Sequence, residues 1–156
     1  MTDDLLVGAI GDDDYEDVLP LIADYQRFYG VSAPDATRNR TFFARFLGPN
    51  DAGSILGARR GDQLVGYACL YLSASSVEAE DIVILNDLYV VPDARGGGVG
   101  RHLIEAAVAY ARHREVRRLR WSTAIDNRRA QRLYEQTGAD RSAWFEYEIV
   151  VDSSDR

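Results

Sequence analysis

The residues best suited to chemistry fall between positions 87 and 134. The run Arg95-Gly96-Gly97-Gly98-Val99-Gly100 follows an apolar stretch ending at Val91. It precedes a segment in which Val99, Leu103, Ala106, Ala107 and Tyr110 recur at helical spacing. A strand, a glycine-rich turn and a helix in that order make an anion site. The first N–H groups of a helix lack internal acceptors, and the helix dipole places partial positive charge there. Glycines let the backbone approach a phosphate closely and take positive φ. Arg95 and Arg101 flank the cluster and can add charge-assisted hydrogen bonds. The same residues also suit a tight strand-to-helix turn that holds nothing. A second group follows at Asn127, Ala130 and Tyr134, where the last two are four apart and share a helix face. By itself Tyr134 reads more readily as a core aromatic than as an acid. Asp87 is a lone carboxylate at the end of an apolar run, placed to serve as a base or simply as a strand-end residue.

Spacing decides among the phosphate motifs. The dinucleotide pattern G-x-G-x-x-G fails, because its third glycine would fall at Arg101 or at Leu103. All 18 basic residues are arginine, so the P-loop, which needs a lysine after its last glycine, is excluded. The pattern R-x-x-G-x-G fits. The run Leu88-Tyr89-Val90-Val91-Pro92-Asp93-Ala94-Arg95-Gly96-Gly97-Gly98-Val99-Gly100-Arg101 resembles the coenzyme-A-binding signature of the GNAT superfamily of N-acetyltransferases. Asn127, Ala130 and Tyr134 match N-x-x-A-x-x-x-Y, a further feature of that superfamily.

The resemblance implies acetyl-CoA as co-substrate and an amine as acceptor. It gives the pyrophosphate to Arg95, Gly96, Gly97, Gly98, Val99, Gly100 and Arg101. A backbone N–H in the Leu88, Tyr89, Val90 region would hold the oxyanion of a tetrahedral intermediate. Asn127 would bond the pantetheine arm, and the small Ala130 would let it lie close. Tyr134 would protonate the departing thiolate. Asp87 is the candidate base. The stretch Leu85-Asn86-Asp87-Leu88-Tyr89-Val90 is similar to that of diamine acetyltransferases and of the yeast histone and polyamine branch. Those commonly carry Glu-Asp where this chain has Asn86-Asp87, which weakens a polyamine assignment. Tyr25 and Tyr29, with Asn86 and Asp87, are candidates to line the acceptor pocket; Trp144 and Phe145 suit the same role or core packing. The expected acceptor is a small-molecule amine such as a polyamine, diamine or amino acid. Protein N-terminal or lysine acetylation is an alternative, as is an acyl-CoA-binding sensor without turnover.

These residues need a scaffold that presents them. The 156 residues, 46% hydrophobic and 28% charged, suit one soluble domain, 1–156, with a real core. The predicted order is β-α-α-β-β-β-α-β-α-β. Strands are expected at Leu5–Ile10, Ser54–Ala58, Gln63–Ser73, Asp81–Val91, Arg118–Thr123 and Trp144–Val151. Helices are expected after Asp12-Asp13-Asp14, with Pro20 kinking or restarting the first, and over Ala36–Phe46, Val99–His113 and Asn127–Gln136. Arg60-Gly61-Asp62 reads as a hairpin turn. The fold class is α/β (α+β mixed): a GNAT-like, mainly antiparallel sheet with a central parallel strand pair, flanked by about four helices. The strand-helix-strand unit from Asp81 to Thr123 supplies the parallel pair.

Composition closes off other classes. A net charge of −7 disfavours nucleic acid and favours cationic partners. No apolar run reaches the roughly 18 residues of a membrane span, and the acidic Met1-Thr2-Asp3-Asp4 is unlike a secretory signal, so cytoplasm is the expected compartment. Cys69, the single cysteine, reads as a buried structural thiol. His102 and His113 lack metal-ligand partners at useful spacing, so no metal is expected. The acidic Glu78, Glu80 and Asp81 suit a solvated loop or a lure for a cationic acceptor. The resemblance is also compatible with a homodimer built through the last strand.

Overall fold

The computed structural model describes residues 4–152. These divide between Ala124 and Ile125 into two compact units. The first holds strand β1 (Leu5–Ala9), a 3-10 turn at Asp12–Asp14, helix α1 (Tyr15–Phe28) and helix α2 (Ala36–Phe43), with a second 3-10 turn at Ala44–Phe46. Strands β2 (Gly53–Arg60), β3 (Gln63–Ser75) and β4 (Glu80–Val90) follow, then a 3-10 turn at Pro92–Ala94, helix α3 (Val99–His113) and strand β5 (Leu119–Arg120). The sheet runs β1-β2-β3-β4-β5. Its first four strands are antiparallel neighbours, and β4 and β5 form the expected parallel pair, though at one end of the order rather than at its centre, because no described strand pairs beyond β5.

The two faces of the sheet carry different helices. In β3, Tyr67 and Cys69 join Val18, Ile22, Phe43 and Phe46 of the α1 and α2 side in one buried cluster. Gly66 lies on the other face, where an added Cβ would meet Val99 Cγ1 at 3.0 Å and Leu103 Cδ1 at 3.3 Å of α3. Alternation along β3 from Gly66 to Cys69 thus sends neighbouring residues to the two helical layers. Cys69 is fully buried, and burial pushes its thiol pKa up, consistent with a structural role.

Three sequence expectations need adjustment. Helix α1 runs through Pro20 without a restart. The proline costs one bond to the carbonyl of Glu16, but Val18, Leu21 and Ile22 on either side are buried, and this tertiary packing holds the helix. Strand β5 is two residues long where six were expected, because it pairs only with Val83 and Ile84. Beyond them β4 carries a bulge, which bends the strand away from a straight neighbour. Glu78 and Glu80 stay partly exposed and Asp81 exposed, but the two glutamates are not free: they pair with Arg120 at 3.3 Å and Arg118 at 2.6 Å, tying the β3–β4 turn to the start of β5.

Helix α3 contains an internal conflict. The Tyr110 hydroxyl is buried and has no hydrogen-bond partner among the described residues. Such a group pays its desolvation without recompense. Tyr110→Phe is expected to raise stability by about 1 kcal/mol, read as a higher midpoint in urea at unchanged slope. A lower midpoint would show that the hydroxyl is satisfied.

The second unit holds helix α4 (Arg128–Glu135), capped by Asn127, whose Oδ1 accepts from the Ala130 N–H at 3.2 Å. Gly138 follows with φ +81°, two residues beyond the C-cap Gln136. The strand expected over Trp144–Val151 is not formed; residues 139–152 carry no regular element. An apolar, β-favouring run becomes a strand only where a partner completes its ladder, and no strand exists among the described residues of this unit.

Candidate active site

The bulge in β4 is the feature that builds the site. Cys69 of β3 opposes Asp87, while the next residue, Leu70, opposes Leu85, so Asn86 is the extra residue. One inserted residue reverses which face every later side chain takes. Val83 and Leu85, opposite Leu72 and Leu70, lie on the α3 face; Asp87 and Tyr89, opposite Cys69 and Tyr67, lie on the α1 face. A carboxylate thereby enters the buried layer beneath α1, where Asp87 is 3% exposed.

Around Asp87 the structure gathers tyrosines from β3 and α1. The Tyr67 hydroxyl donates to Asp87 Oδ2 at 3.1 Å, and Asn86 Nδ2 donates to Oδ1 at 2.6 Å. Asn86 Nδ2 also reaches the Tyr71 hydroxyl oxygen at 3.2 Å. From α1, the Tyr25 hydroxyl donates to the Asn86 carbonyl at 3.2 Å. The Tyr25 ring lies 6.2 Å from Tyr67, edge on, and 4.9 Å from the exposed Tyr29. Tyr71 stacks on Phe46 at 5.3 Å. Of the four residues expected at the acceptor pocket, Tyr25, Asn86 and Asp87 are joined directly, and Tyr29 packs on Tyr25. Tyr67 and Tyr71 belong to the same cluster and were missed, since an aromatic within an apolar strand reads as core.

Burial sets the electrostatics. Desolvation raises the Asp87 pKa above the ordinary carboxylate range, and the hydrogen bonds from Asn86 and Tyr67 offset only part of it. Desolvation, reinforced by the nearby Asp87 charge, also holds Tyr25, Tyr67 and Tyr71 protonated far above neutrality. The site therefore contains one basic carboxylate with an upward-shifted pKa among neutral hydroxyls.

The backbone beyond the bulge is equally organised. The Val91 N–H bonds the Val65 carbonyl of β3 at 2.9 Å. By alternation, the amides of Val90 and Leu88 face away from β3, toward the side of β4 that β5 leaves uncovered. The Val90 carbonyl on that side accepts from Arg95 Nε at 2.9 Å. The Leu88 and Val90 N–H groups thus both face the side on which the Leu88 to Val90 expectation places an oxyanion.

The glycine run then turns the chain into α3. Gly96 and Gly98 take φ +84° and +83°, conformations costly for any residue with a Cβ. Gly98 is the N-cap, and the first intrahelical bond near it is from the His102 N–H to the Gly98 carbonyl at 3.1 Å. The N–H groups of Val99, Gly100 and Arg101 therefore point out of the helix end without intrahelical acceptors. This cradle fits a phosphate, with the donors and the dipole both aimed at it. Arg95 and Arg101, the flanking cations, are partly engaged elsewhere. The Arg95 guanidinium lies 5.7 Å from the Tyr89 ring centre, and Arg101 Nε lies 3.5 Å from Glu105.

The sequence profile of the acetyltransferase (GNAT) family matches residues 18–139. The chain belongs to this family. It is an acetyl-CoA-dependent N-acetyltransferase. Over 128 residues it is 38% identical to the uncharacterized N-acetyltransferase YhfO of Bacillus subtilis, covering 82% of this chain and 85% of that one. Over 136 residues it is 34% identical to the D-amino-acid N-acetyltransferase HPA3 of Saccharomyces cerevisiae, covering 86% and 84%. A crystal structure of a probable acetyltransferase superposes with a TM-score of 0.80 at 29% identity, covering 96% of this chain and 99% of that one.

The remaining expected residues of the acetyltransferase lie in the second unit. Asn127 caps α4, its Oδ1 accepting from the Ala130 N–H. Ala130 and Tyr134 follow on α4 at the predicted helical spacing. Two residues near the glycine run were not read from the sequence. His102 places Nδ1 2.7 Å from the Gly98 carbonyl, and Arg60, from the end of β2, lies beside Gly97. The histidine is four residues from Gly98 on a helix and was open to discovery by spacing; the arginine was not.

Proposed function

We propose that the acetyltransferase moves the acetyl group of acetyl-CoA to the primary amine of a small, amino-acid-like or diamine acceptor by direct attack. The observation that carries this reading is the buried Asp87 carboxylate within its ring of tyrosines. An ammonium is drawn to this carboxylate, whose raised pKa suits it to take the proton, directly or through one water. The freed amine forms the C–N bond at the thioester carbonyl, and a backbone N–H of the Leu88 to Val90 stretch meets the oxyanion. Collapse breaks the C–S bond; Tyr134 supplies a proton to the departing sulfur and is restored by the second proton, which the nitrogen gives up through solvent as the amide forms. Arg95, Gly96, Gly97, Gly98, Val99, Gly100 and Arg101 bind the pyrophosphate through the donors described above.

Two findings favour an amino-acid-like acceptor. The yeast relative acts, by its name, on D-amino acids. In this chain Arg45 holds its guanidinium 4.4 Å from the Phe42 ring centre and 5.9 Å from that of Phe46, the residue stacked on Tyr71. A cation at that edge of the aromatic cluster suits an acceptor that carries a carboxylate as well as an amine.

The test is release of the CoA thiol from acetyl-CoA with a panel of amines: D- and L-amino acids, short diamines, spermidine, aminoglycosides and a lysine peptide. Free amino acids are expected to turn over fastest, followed by diamines. Preference for the peptide would overturn the small-molecule reading. Tight acetyl-CoA binding with no release from any amine would instead favour a sensor.

A further inference from the structure

Arg59 and Arg60 are adjacent on β2 and therefore project to opposite faces of the sheet. Arg59 turns to the α1 face, where Nη2 pairs with Asp14 at 2.7 Å and Asp17 at 2.8 Å. Arg60 turns to the α3 face. A Cβ placed on Gly97 would stand 3.5 Å from its Nη2 and 3.8 Å from its Nη1, so the guanidinium lies against the middle of the glycine run. Arg60 is half-buried and forms no ion pair with a described residue, although acidic residues outnumber basic ones 25 to 18 in this chain. Arg95 meanwhile spends Nε on the Val90 carbonyl, and Arg101 faces Glu105.

We infer that Arg60 is the principal cation for the pyrophosphate of coenzyme A, acting across the sheet edge onto the cradle that the α3 N-terminus forms. The inference rests on assigning the glycine run to coenzyme A. A guanidinium offers paired donors that match phosphate oxygens. Its position at the end of a strand, fixed by pairing with Leu5 of β1 and Gln63 of β3, holds it more firmly than a loop would. The two phosphate sources in coenzyme A, the pyrophosphate and the ribose 3′-phosphate, share this chemistry; Gly97 sits at the helix entrance, which favours the pyrophosphate.

The test measures calorimetric affinities of CoA and 3′-dephospho-CoA for the wild type, Arg60→Gln and Arg60→Lys, at low and high salt, with thermal midpoints to verify folding. Arg60→Gln is expected to weaken both ligands by a similar factor, on the order of 10- to 100-fold, and to flatten the salt dependence. Arg60→Lys should recover part of the loss, because it keeps the charge but not the paired donors. Loss for CoA alone would overturn the pyrophosphate assignment in favour of the 3′-phosphate. Unchanged affinity for both in a folded Arg60→Gln would overturn the role of Arg60 while leaving the glycine-run reading intact. Failure of the wild type to bind either ligand would overturn that underlying reading instead.

Discussion

Asp87→Asn is expected to lower kcat/KM by on the order of 10²- to 10⁴-fold and, at neutral pH, to leave a more stable protein. Both effects come from one fact. Desolvation lifts the Asp87 pKa in the folded state above its unfolded value, against the weaker opposing pull of Asn86 and Tyr67. Between those two values the folded state binds more protons than the unfolded one, so stability falls as pH rises through the window. Above it, the wild type carries the full cost of an ionised carboxylate under α1, and the asparagine variant does not. The gain in stability should therefore be present at pH 7 and vanish once the pH drops below the ordinary carboxylate range. Asparagine can still accept from Asn86 and donate to the Tyr67 oxygen, so the hydrogen bonds are largely kept. Urea titrations at pH 7 and about pH 3, with initial rates over the range in which the protein stays folded, check both halves. The wild-type rate should fall on the acid side as Asp87 takes up its proton, and the variant should lack that limb. Wild-type activity in the variant would remove Asp87 as the base; lower stability at pH 7 would contradict the burial argument.

Tyr134→Phe is expected to lower kcat by on the order of 10²-fold while the affinity for CoA stays near that of the wild type. Phenylalanine keeps the ring on α4 and removes only the hydroxyl that would protonate the departing sulfur. The split between turnover and binding separates an acid from a packing residue. Calorimetric CoA affinity and pre-steady-state thiol release read the two quantities independently. An acceptor whose amine attacks slowly would mask the effect, so the comparison is made with the fastest amine of the panel. An unchanged kcat there would take Tyr134 out of the mechanism.

The phosphate cradle was open to the sequence because every part of it is local. The apolar run to Val91, the break at Pro92, the glycines and the 3.6-residue period after Val99 lie within about thirty positions, and a helix start needs only its own backbone to present N–H groups. The Asn127, Ala130 and Tyr134 spacing was legible for the same reason. The failed strand at Trp144–Val151 shows the limit of local preference: a β-favouring run does not supply its own ladder. The persistence of α1 through Pro20 shows it again, since packing of Val18, Leu21 and Ile22 outweighed a local rule.

What the sequence determined by itself, then, is the chemistry available: a carboxylate at Asp87, a glycine entrance to a helix, a hydroxyl at Tyr134, and arginine as the sole basic side chain. Tertiary structure decided where that chemistry points. The bulge at Asn86 exists only as a mismatch of register between β4 and β3, so no single strand encodes it visibly, yet it moves Asp87 from the α3 face to the tyrosines under α1. Arg60 likewise reaches Gly97 only because the β2–β3 hairpin ends beside the entrance to α3, thirty-seven residues further along the chain. Side-chain identity is a property of the residue; the face it occupies and the neighbours it meets belong to pairings between distant segments, which the closing of the sheet alone establishes.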